Sequence, residues 1–141
     1  MKKAYVVFVF LLFGLTGCVS MKPVELAQLP VAKPDMGLVF FYRKDEFAGS
    51  AVNFRVYHGK KVIGALGSGT FFYYYCKPGE QVFWSETEVK DSVYLDILPG
   101  KVYYVNGETD MGFWAARPDL TVIPAIQGKS EIHDLTYAVP K

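Results

Sequence analysis

Five aromatic residues in a row, Phe71-Phe72-Tyr73-Tyr74-Tyr75, constrain this chain more than any other stretch. Turn formers close the run on both sides, Gly67-Ser68-Gly69 before it and Lys77-Pro78-Gly79-Glu80 after it. An apolar run this short between breaks suits a strand better than a helix. Successive strand side chains point to opposite faces, so rings stand on both sides of Thr70 to Cys76. Both faces need contact, and no polar residue in the run marks which one is inward.

The neighbouring segments read the same way. Leu38 to Arg43 is mostly apolar and predicts a central strand. Lys44 to Ala51 is a polar, glycine-containing loop that includes Phe47. Val52 to His58 alternates, His58-Gly59-Lys60 signals a hairpin, and Lys61 to Leu66 returns. Lys77 to Glu80 fits a type II turn, with proline presetting the second position and glycine supplying positive φ at the third. Gln81 to Glu88 runs back from it. Val93 to Leu98, Pro99-Gly100 and Val102 to Asn106 repeat the strand–Pro-Gly–strand pattern. Asn106 to Asp119 reads as a loop with an apolar centre. Leu120 to Ile126 reads as a strand at an edge or with a bulge because of Pro124. Ile132 to Val139 adds an edge strand. Aromatic residues make up 16% of the chain, a composition suited to pleated, half-buried surfaces. The expected fold is an all-β, antiparallel β-sandwich of seven to eight strands over residues 36–141.

The amino-terminal part carries an address. Lys2 and Lys3 precede an uncharged apolar run from Tyr5 to Leu15. That run matches the core of a signal peptide and is too short to span a bilayer. Leu15-Thr16-Gly17-Cys18 resembles the lipobox of bacterial lipoproteins. The resemblance implies removal of residues 1–17 and attachment of diacylglycerol and an N-acyl chain, such as palmitate, to Cys18. Val19 rather than aspartate follows the cysteine, which favours the outer membrane of a Gram-negative cell. Residues 18–35 contain Pro23, Pro30 and Pro34 and read as a tether.

A wider likeness rests on several blocks. These are Phe41-Tyr42-Arg43 with Ala48-Gly49-Ser50, Val56-Tyr57-His58-Gly59-Lys60-Lys61 with Ile63-Gly64, Gly69-Thr70-Phe71-Phe72, and Pro78-Gly79. Pro99-Gly100-Lys101-Val102-Tyr103-Tyr104-Val105 and Met111-Gly112-Phe113-Trp114 with Arg117-Pro118 complete them. Over about residues 35–135 the chain resembles a family of small bacterial lipoproteins known only as a domain of unknown function, the domain-of-unknown-function 2846 family. That family often has aspartate before the hairpin glycine, where this chain has His58. The Pro-Gly hairpins are also similar to those of PEGA and transthyretin-like sandwich modules. Neither resemblance implies a catalytic residue.

Charge and site chemistry narrow the function classes. Of 15 basic residues, Lys2 and Lys3 lie in the export segment, which leaves 13 against 14 acidic residues, a net charge of −1. No basic cluster is present to hold phosphates, so nucleic acid is not an expected partner. Cys76 ends an aromatic strand and reads as a buried thiol, the alternative being a disulfide-linked dimer. His58 and His133 lack paired spacing for a metal, and no G-x-S-x-G elbow occurs. Asp45, Glu46, Glu86, Glu88 and Asp91 fall in loops and on a solvent face. Met111 to Arg117 either folds back to plug the sandwich or exposes an aromatic patch. Tryptophan, tyrosine and arginine dominate binding hot spots, so Phe113, Trp114 and Arg117 are candidate interaction residues, with Phe47 and Arg43 at the same end. The expected role is a non-enzymatic, lipid-anchored module without cofactor, contacting the membrane through its lipid and an envelope protein or polymer through its domain. The alternative is a carrier of a small apolar or aromatic ligand in a cavity between the sheets.

Overall fold

The architecture comes from a computed structural model that describes residues 19–111 and 116–140. In chain order its strands are β1 (Met21–Pro23), β2 (Gly37–Arg43), β3 (Phe54–His58), β4 (Lys61–Leu66) and β5 (Thr70–Cys76). They continue as β6 (Gly79–Glu86), β7 (Lys90–Ile97), β8 (Val102–Met111) and β9 (Ala116–Ile123). A short helix, α1 (Ala125–Glu131), precedes β10 (Thr136–Pro140). Two sheets pack face to face. One has the order β1-β10-β5-β2-β8-β9 and the other β4-β3-β6-β7. The all-β sandwich expected from the sequence is therefore the fold.

β2 shows why. All seven of its residues are buried. Val39 and Phe41 face the other sheet and meet Phe72, Phe83 and Val105, with Phe41 stacked on Phe72 at 5.1 Å. Leu38, Phe40 and Tyr42 face outward into a second apolar layer with Phe71, Tyr104 and Ile132. The aromatic run of β5 divides between the same two layers. Phe72, Tyr74 and Cys76 join the core between the sheets, while Phe71, Tyr73 and Tyr75 join the outer layer. Burial drives the Cys76 thiol pKa upward, so the residue packs as a small hydrophobe.

The outer layer needs a cover, and the chain supplies one from both ends. Helix α1 lies on it with Gly128 against the Tyr104 ring. The segment read as a tether lies on it too. Its β1 pairs antiparallel with β10, Leu26 and Ala32 pack on the layer, and Tyr75 donates to the Val31 carbonyl at 2.8 Å. Lys33 Nζ sits 4.2 Å from the Tyr75 ring centroid.

Several expectations need correction. The described residues form ten strands, and the larger sheet is mixed, because β2 runs parallel to β8 and β10 parallel to β5. The two Pro-Gly turns are not hairpins. Each carries the chain from one sheet to the other, β5 to β6 and β7 to β8. Gly79 and Gly100 adopt φ of +112° and +70° at these corners, a region glycine enters without steric cost. The loop expected over 106–119 is mostly strand, since β8 and β9 pair from Tyr104↔Ile123 to Met111↔Ala116. Pro118 fits this ladder because β9 is an edge strand. Pro124 ends β9 and starts α1, where the expected strand would have continued.

Candidate functional site

Two surfaces compete for the functional role: one end of the sandwich and the outer face of the four-stranded sheet. At the end lie the carboxyl end of β2, the 44–53 loop, the 67–69 turn and the far end of the β8–β9 hairpin. Arg43 closes β2 there, and it is not the surface residue the sequence implied. It is 1% exposed. Its Nη1 donates to the Val52 carbonyl at 2.6 Å, and its Nη2 to the Gly49 carbonyl at 2.8 Å and Thr109 Oγ1 at 2.7 Å. Burial lowers its pKa, while Glu46 and Glu108 act in the opposite sense. The reason for the correction is geometric: backbone carbonyls of the loop turn inward and need donors, and a guanidinium fork supplies several at once.

The loop held this way presents Phe47 with its side chain completely exposed. Backbone hydrogen bonds from Ser50 to Phe47 and from Val52 to Gly49 shape it. Ser68 ties its base by donating to Asp45 Oδ1 at 2.9 Å and accepting from the Glu46 amide at 3.1 Å. Arg117 is exposed on β9, opposite Asp110 in the ladder. The topology thus brings Arg43, Phe47 and Arg117 to one end, with Arg43 beneath the surface. Phe113, Trp114 and Cys18 lie outside the described residues.

The second surface follows from strand alternation. Val56, Phe83, Val93 and Leu95 face the core, so Tyr57, Val82, Trp84 and Tyr94 face outward. Ladder pairing sets Tyr57 beside Trp84 and Val62, and Val82 beside Tyr94. The Tyr57 and Trp84 rings stack at 4.0 Å with an 8° tilt. Lys90 Nζ stands 4.2 Å from the Trp84 centroid, and Trp84 Nε1 donates to the Gly59 carbonyl at 2.8 Å. Tyr94 is 75% exposed, Val62 40% and Val82 38%. This face thus carries an aromatic patch in which Trp84 is held between the Tyr57 ring and Lys90 and Tyr94 is the most exposed ring, a surface that can contact a chain laid across it. The sequence reading missed it. Its signal lies in the alternation of Val82, Trp84 and Tyr94 with core residues, but the face forms only when β3, β6 and β7 pair.

Titratable groups elsewhere are engaged with one another. His58 ends β3 and lies between the Tyr74 hydroxyl at 3.2 Å and Gln81 Oε1 at 2.7 Å, so it links the two sheets. On the outer layer Tyr42 donates to Glu131, which also accepts from Gln127 at 2.9 Å. Lys44 Nζ lies 3.2 Å from Glu108 Oε1, which accepts from Asn106 at 2.6 Å. Burial pulls the Glu131 carboxyl upward, but hydrogen bonds from Tyr42 and Gln127 and the charge of Lys44 outweigh it, and the net shift is downward. Burial and Glu131 both raise the Tyr42 phenol. Among the described residues no group of three or more His, Cys, Asp or Glu could hold a metal ion. A cleft of about 350 Å³ opens outside the six-stranded sheet, beneath the amino-terminal segment, between Leu26, Leu29, Phe71 and Leu135.

An uncharacterized protein of Haemophilus influenzae is 29% identical over 142 residues, covering 97% of this chain and 84% of that protein. No family model matches the chain. No solved structure matches it either. The likeness therefore extends along nearly the whole sequence without bringing an activity with it.

Proposed function

We propose that the protein is a lipid-anchored, non-catalytic interaction module of the bacterial cell envelope, held at the outer membrane through Cys18. Its domain keeps an envelope protein or polymer close to the membrane. The observation that carries this reading is the aromatic face of the four-stranded sheet, where Tyr57, Trp84 and Tyr94 stand on a rigid ladder with Tyr94 75% exposed. Rings already fixed by stacking and by the Trp84–Gly59 hydrogen bond lose little freedom on binding. Anchoring raises the effective concentration of this face near any target in the same membrane. The Leu15-Thr16-Gly17-Cys18 sequence behind an uncharged apolar run supports the anchor.

Two measurements test the reading. Labelled palmitate is expected in the full-length protein and absent from Cys18→Ser. A photo-crosslinker at Tyr94 is expected to give a discrete adduct in cells, which Trp84→Ser abolishes while the domain stays folded. Adducts that are diffuse, or that persist unchanged in Trp84→Ser, overturn the aromatic face as the binding surface.

A further inference from the structure

Val19 is held against the domain. Asn53 Nδ2 donates to the Val19 carbonyl at 2.9 Å. Asn53 is the last residue of the loop that carries Phe47, and Gly67 has both Asn53 and Met21 beside it. Val19 therefore sits beside the 44–53 loop, at the Arg43 end. Cys18 is bonded directly to Val19, and one peptide unit advances a chain by only about 3.8 Å.

We propose that the 44–53 loop is a bilayer contact, with Phe47 entering the interfacial layer of the membrane that carries the protein. The inference rests on the lipid-anchored reading of Cys18. Three observations meet in it. Phe47 to Val52 contains no charge, and Phe47, Ala48, Ser50 and Ala51 at its apex are all exposed. The loop is built rather than slack, since a buried guanidinium spends two hydrogen bonds on its carbonyls and Ser68 fastens its base. And Val19, the residue next to Cys18 in sequence, is held beside the loop. Aromatic side chains suit the headgroup boundary, and a neighbouring acyl anchor removes the need for the loop to find the membrane by itself. Asp45 and Glu46 flank Phe47 and confine the contact to the loop apex. The sandwich then stands end-on, the Lys60 hairpin lies roughly 20 Å farther from the membrane along the strands, and the aromatic face looks sideways, free for a partner.

The test uses full-length, cell-processed protein in phosphatidylcholine–phosphatidylglycerol vesicles, with a nitrobenzoxadiazole label at Ala48→Cys or at Lys60→Cys. Cys76 is buried and stays unlabelled. Quenching by nitroxide-bearing lipid is expected to be several-fold stronger at position 48 than at 60, and to fall toward the position-60 level when Phe47→Ser is added. Vesicle flotation separates the two claims. If the protein floats but both labels are quenched equally weakly, the loop faces away from the bilayer, the anchor stands and this proposal fails. Unchanged quenching in Phe47→Ser also overturns it. If the protein does not float, the anchored reading fails and takes this proposal with it.

Discussion

Arg43 shows how a residue type can mislead when read from sequence. An arginine beside a polar loop looks like a surface cation. Here it is a buried fork that satisfies loop carbonyls and Thr109. Each hydrogen bond from a charged donor contributes about 1.5–3 kcal/mol, partly offset by the cost of burying the charge. Arg43→Met is expected to destabilise the domain by about 2–4 kcal/mol in urea unfolding, and Arg43→Lys to recover only part of that, because lysine cannot serve several acceptors in a fork. Glu131 gives a pH prediction. Its folded-state pKa lies below its ordinary value, so its carboxylate contributes stability above the ordinary carboxylate range. That contribution is lost as pH falls through the folded value. The stability gap between the wild type and Glu131→Gln is therefore expected to be present near neutrality and to close in acid, as read by unfolding curves across that range.

At the scale of elements, α1 is the piece that alternation could not reveal. It is seven residues long and begins directly after a strand, at Pro124. Its position depends on Gly128, where an added Cβ would overlap the Tyr104 ring. Alanine favours a helix interior over glycine by about 1 kcal/mol, so intrinsic propensity alone says that Gly128→Ala stabilises. The packing says the opposite, a loss of about 1–3 kcal/mol from overpacking, and thermal unfolding of this variant decides between them. The strands themselves were legible because their breaks are written in glycine and proline and their rings alternate between two layers. The central place of β2 followed from its unbroken apolar run. Sheet membership was not legible. Pro78-Gly79 and Pro99-Gly100 have the local chemistry of hairpins, and whether a turn joins neighbours or crosses between layers is set by distant strands. The same limit hid the aromatic platform, which exists only because β3, β6 and β7 lie side by side. Which of Arg43, Phe47 and Arg117 reaches the surface was not legible either, because the burial of Arg43 depends on the carbonyls of the 44–53 loop folding back over it.

For the whole molecule the connectivity matters more than any single contact. β2 pairs with β8, β5 with β10, and β1 with β10, so the larger sheet is assembled from strands far apart in sequence. Pairings of this kind close long loops before they yield contacts, and such domains fold in milliseconds to seconds. The partner of the first strand is the last strand, Met21–Pro23 against Thr136–Pro140. No partial length of the chain can therefore finish the sheet. In a polypeptide made amino-terminus first, β1 waits unpaired until β10 emerges. The β1–β10 pair works like a clasp, which closes only when both of these strands are present.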